Sequence, residues 1–122
     1  HFTTINADGR PHTTIVWVGM EGDDVVIGKL MPDRKLANIA RDPRVSFSME
    51  AEGDQHGMGN YLVVEGSARV TEGGAPELLG QLAQRYIGPG AKFPPMPDPP
   101  AGFVIRVTPT TVRGMGPWGI QF

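Results

Sequence analysis

The chain has 122 residues, a formal net charge of −2 and no cysteine. A near-neutral balance argues against a protein that draws its affinity from neutralising many nucleic-acid phosphates, and the cysteine count removes disulfides, thiolate nucleophiles and cysteine metal sites together. No apolar run approaches the roughly 18 to 20 residues of a membrane span, and no signal-peptide pattern opens the chain. The length suits one domain over residues 1–122, and the absence of cysteine suits a cytoplasmic setting. The first residue is His rather than Met, so the N-terminus is expected to be trimmed or cut. With 17 Gly and 12 Pro, the composition favours short strands joined by tight turns over a helical bundle.

In chain order, Phe2 to Asn6 is β-prone and leads into the turn Ala7-Asp8-Gly9-Arg10. Pro11 to Met20 reads as one strand with substantial side chains on both faces, which predicts core on one side and a ligand or partner subunit on the other. After Glu21-Gly22-Asp23, the strand Asp24 to Leu30 is expected to complete a three-stranded meander. Pro32-Asp33 then starts a short helix that places Leu36, Ile39 and Ala40 on one face and ends at Asp42-Pro43.

Val45 to Glu50 alternates as a half-exposed strand, and Ala51 to Gly59 reads as a Gly-rich polar loop. Tyr61 to Thr71 is a longer strand in which Gly66 predicts a bulge or a close backbone approach. Ala75 to Ile87 is the best helix, with Leu78, Leu79, Leu82, Ala83 and Tyr86 on one side. Residues 88–102 are too rich in proline for a central strand or a helix. They form either a stiff surface connector or the wall or lid of a substrate pocket, with Phe93 and Met96 facing inwards. Phe103 to Thr108 is a strand, followed by a last extended piece. Six or seven strands with two helices, joined largely by hairpins, predict a mainly β antiparallel barrel or curled sheet.

Known catalytic constellations are weak. The histidines at positions 1, 12 and 56 have no zinc-like spacing, so no metal site is expected. No serine sits in a nucleophile elbow, and neither GxGxxG nor GxxxxGKT occurs. Glu65 lies inside a strand and is expected to pair with Arg69 or Arg106. The informative stretch is Asp24 to Arg44. Arg34 and Lys35 stand in the first turn of a helix, where the macrodipole already favours negative charge. They are either two solvated cations or a site for an anion such as phosphate. A ligand with a phosphate for Arg34 and Lys35 and a planar apolar end for Ile15, Val16 and Trp17 fits this pairing; flavins and deazaflavins answer the description.

The pieces GRPHTTIVW, DRKLANIARDPRVSFS and YLVVEGSARV, with a final strand ending near GPW, resemble the split-barrel family of pyridoxamine-phosphate-oxidase-like flavoproteins. Within it, the chain looks most like the actinobacterial branch that uses the deazaflavin coenzyme F420. The resemblance covers nearly the whole chain and implies an antiparallel split β-barrel that binds FMN or a deazaflavin. It implies that Lys35 grips the cofactor phosphate, with Asn38 one turn on as a polar partner. Asp33 stands where the branch more often has an arginine, so Arg34 or Lys29 is expected to complete the clamp. Thr14, Ile15, Val16 and Trp17 fall on the strand that backs the tricyclic ring. Asn60 and Tyr61 fall where the second protomer of a homodimer closes the site. The expected function is F420-dependent hydride transfer to or from a small conjugated or electron-poor molecule. The alternatives are an FMN-dependent oxidoreductase and a non-catalytic flavin- or haem-binding protein.

Overall fold

The computed structural model describes residues 1–55 and 57–121. Its strands are β1 (Phe2–Ile5), β2 (Pro11–Thr14), β3 (Gly19–Glu21), β4 (Asp24–Lys29), β5 (Arg44–Gln55), β6 (Met58–Glu72), β7 (Phe103–Gly116) and β8 (Gly119–Gln121). Helix α1 (Arg34–Arg41) lies between β4 and β5, and α2 (Ala75–Tyr86) between β6 and β7. All pairings are antiparallel, in the order β2-β1-β5-β6-β7-β4-β3 with β8 against β7.

The expected strand Pro11–Met20 is broken, and the meander with it. β2 and β3 lie at opposite ends of the strand order, so residues Ile15 to Val18 carry the chain from one edge of the sheet to the other. Backbone groups in that crossing have no ladder partner. At Val18 the phenol of Tyr86 replaces one, accepting from the backbone N–H at 3.1 Å and donating to the carbonyl at 3.2 Å. β-propensity marked these residues as extended, but closure of the sheet decides where they go.

Residues 51–59 also differ from expectation. β5 runs on to Gln55 and β6 begins at Met58, forming a long hairpin with a register shift between Ala51 and Asp54. The Asn60 amide donates to the Glu52 carbonyl at 2.8 Å, binding the irregular residues to the hairpin. The expected irregularity at Gly66 is present. The β6–β7 register shifts between Glu65 and Gly66, and a Cβ on Gly66 would stand 2.4 Å from the Thr108 carbonyl oxygen.

The core is built by alternation. Val25 and Ile27 of β4 meet Val107 and Ile105 of β7, and Phe2, Phe47, Val45, Val64 and Ala68 close the same cluster. On α1 the buried side chains are Lys35, Asn38 and Ile39; Ala40 is exposed, so the helix is rotated from the expected apolar face. The other face of β4 is covered by α2. Gly19 and Gly28 make that approach possible, because a Cβ at either would meet Leu82 at 2.9 Å or Leu79 at 3.0 Å.

Candidate functional site

Four elements converge at the crossing. Ile15, Val16 and Trp17 from the crossing, Ile27, Gly28 and Lys29 from β4, Lys35 from α1, and Leu79 from α2 line a cleft of about 290 Å³, with Phe93 closing one side. Lys35 is buried, which is uncommon for lysine without a partner. Its partner is Asp33, whose Oδ2 lies 3.0 Å from the Lys35 ammonium and 2.8 Å from that of Lys29. The same carboxylate caps α1 through Oδ1, which accepts from the Leu36 N–H at 3.4 Å. Burial pushes the Asp33 carboxyl up, but bonds and charge from Lys29 and Lys35 outweigh it and hold the group below the ordinary carboxylate value.

Part of the cleft's lining is aromatic. Trp17 stacks on Tyr86 with ring centroids 5.5 Å apart and meets Phe93 edge-on at 5.3 Å. Phe93 thus belongs to the cleft, so residues 88–102 contribute a wall; Met96 does not line it and is 44% exposed. A larger cleft of about 510 Å³ between α1 and β6 is almost entirely apolar, and its cation, Arg69, already pairs with Asp24 at 2.8 Å.

The structure brings together Lys29, Lys35, Ile15, Val16 and Trp17. Arg34 is elsewhere. Successive helical residues point about 100° apart, and Arg34 is exposed beside a separate polar cleft with Asn6, Asp8, Asn38 and Arg41. Asn38 is engaged within the protein. It donates to the Thr4 hydroxyl at 2.9 Å and the Asn6 side chain at 3.1 Å, and accepts from Arg41 at 3.0 Å. Its visible role in the single chain is to join α1 to β1. Glu65 pairs with Arg113 rather than Arg69 or Arg106; Arg106 instead binds Glu21 at 2.9 Å. His56 lies outside the described residues, and among those described no cluster of three or more His, Cys, Asp or Glu is placed to hold a metal ion.

Thr14, Asn60 and Tyr61 do not line the cleft in one chain. Among the described residues, however, the buried side-chain polar atoms without a partner are Thr14 Oγ1 and Asn60 Oδ1. Such groups are uncommon in folded proteins. Paired ammonium groups and an adjoining apolar wall form a site whose chemistry fits a phosphate-bearing planar cofactor. Sequence reasoning missed Gly28, Leu79 and the role of Asp33. The Lys29-to-Asp33 spacing was a visible signal, but nothing in it indicated that Lys35 would join the same carboxylate.

An antiparallel sheet closed by a crossing between its edges, with a mixed cationic and aromatic cleft at the crossing, defines a split-barrel protein. The family model described as pyridoxamine 5'-phosphate oxidase matches residues 2–116, and the chain belongs to that family, whose members are typically oxidoreductases. Among solved structures, it is similar to an F420 reductase, with 25% identity, coverage of 92% of this chain and 86% of that one, and a TM-score of 0.75. A conserved hypothetical protein of Mycobacterium tuberculosis, Rv2991, is 30% identical over 93% of this chain and 73% of its own, with a TM-score of 0.72. The general stress protein 26 of Bacillus anthracis shares the fold at 19% identity, covering 93% of this chain and 81% of that one with a TM-score of 0.63. No curated protein matches.

Proposed function

We propose that the cleft binds coenzyme F420 and that the protein transfers a hydride between this deazaflavin and a small conjugated or electron-poor organic molecule. The observation that carries the reading is the convergence of Lys29 and Lys35 beside the apolar wall of Ile15, Val16 and Trp17. The similarity to an F420 reductase supports the deazaflavin over FMN. When bound, the cofactor supplies the hydride chemistry at its ring. Lys29 and Lys35 hold the phosphate through charge-assisted bonds. Ile15, Val16 and Leu79 back the ring, while Trp17 and Phe93 shield that end from water. Orientation and exclusion of water are then the protein's task, and no side-chain nucleophile is required.

A second protomer completes the site in this reading. Ile15 is 82% exposed in the single chain although it lines the cleft, so a large apolar side chain awaits a cover. Asn60 and Tyr61 stand near the start of β6, whereas Phe103, which pairs with Lys29, meets Glu72 at its end. In a homodimer they serve the partner's cleft, and the protein acts in the cytoplasm.

Oxidation of reduced F420 by a panel of enones, quinones and nitroaromatics tests the enzymatic part. Turnover of at least one class is expected. Tight cofactor binding with no turnover across the panel would contradict catalysis and indicate storage or sensing.

A further inference from the structure

Asp33 is placed among the cations that would meet an anionic ligand. Its Oδ2 binds both ammonium groups, at 2.8 Å from Lys29 and 3.0 Å from Lys35, while its Oδ1 caps α1. The carboxylate therefore cannot swing away without uncapping the helix. Two lysines and one aspartate leave a net charge of +1, with a fixed negative oxygen inside the cluster. Arg34 does not add to this sum, because it lines a different cleft.

A phosphomonoester, whose second ionisation lies near pH 6, carries close to two negative charges at neutral pH. A phosphodiester carries one. The second charge gains less from a cluster already half neutralised, and it is repelled by the carboxylate at short range. We infer that Asp33 makes this cleft selective for a diester-linked phosphate monoanion over a terminal phosphomonoester dianion. The inference rests on the cofactor reading above and adds the residue that sets the choice. F420 carries its phosphate as a diester, and FMN carries a monoester.

The test is fluorescence titration of wild type and Asp33→Asn with F420 and with FMN. Asparagine is as good a helix cap as aspartate, so the substitution removes the charge and keeps the cap. Each ligand's other contacts cancel when its affinities for the two proteins are compared. Asp33→Asn is expected to tighten FMN about ten-fold more than it tightens F420, given unit charges a few ångströms apart near a protein surface. Asp33→Ser, also a good cap, should do the same and guards against a folding defect peculiar to one variant. Both ligands binding with an FMN-to-F420 affinity ratio unchanged by either substitution would overturn the inference while leaving the cofactor reading intact. Failure of both ligands to bind wild type and variants would overturn both.

Discussion

Asp42 shows how a short-range pair at the end of α1 couples the fold to pH. Its carboxyl is drawn down from 3.8 to about 2, first by the Arg44 side chain at 2.7 and 3.0 Å and then by the Arg44 backbone N–H. A group with a lowered folded-state pKa contributes stability that is present above its unfolded value and lost as pH falls through the folded one. The acid limb of a pH–Tm profile, between 3.8 and about 2, should be shallower in Asp42→Asn than in wild type; parallel limbs would show that the pair contributes nothing. The residues here were partly legible. Asp42-Pro43 signalled the helix end through backbone preference, and Lys35 stood out because cations at a helix start oppose the macrodipole. Arg34 carried the same signal and faces elsewhere, since pattern alone does not fix the rotation of a helix that buries a lysine and an asparagine.

At the scale of elements, helix α2 and the crossing hold each other. Tyr86 stacks on Trp17 and satisfies both backbone groups of Val18, while Leu79 and Leu82 pack where Gly28 and Gly19 leave room. Tyr86→Phe keeps the ring and deletes the hydroxyl, so urea unfolding should show a loss of about 1 kcal/mol. No change would mean that water serves Val18 equally well. The helix itself was easy to read from its apolar spacing and the Gly88-Pro89 that follows it. The end of β2 at Thr14 was not, because Ile15 to Val18 have the composition of a strand and lose their partners only through the position of the sheet edges. The hairpin of β5 and β6 erred the other way: glycine and polar residues read as a loop, yet strand pairing with a register shift carries through them.

For the whole molecule, the curled antiparallel sheet followed from many short β-prone runs separated by turns. The pairings β1–β5 and β4–β7 did not, since they join strands distant in sequence and depend on how the sheet closes. Closure creates the cleft by bringing the Ile15–Trp17 crossing against Lys29 and Lys35, whose separation in the chain gives no hint of contact. The direct test is titration of the purified protein with F420 and FMN, alongside Lys35→Ala and Arg34→Ala. The account predicts micromolar or tighter binding of F420, one per chain of a dimer. Lys35→Ala should lose about 1–3 kcal/mol of affinity by removing a charge-assisted contact, and Arg34→Ala should lose little. Absence of binding by both cofactors, or F420 affinity indifferent to Lys35 and dependent on Arg34, would contradict it.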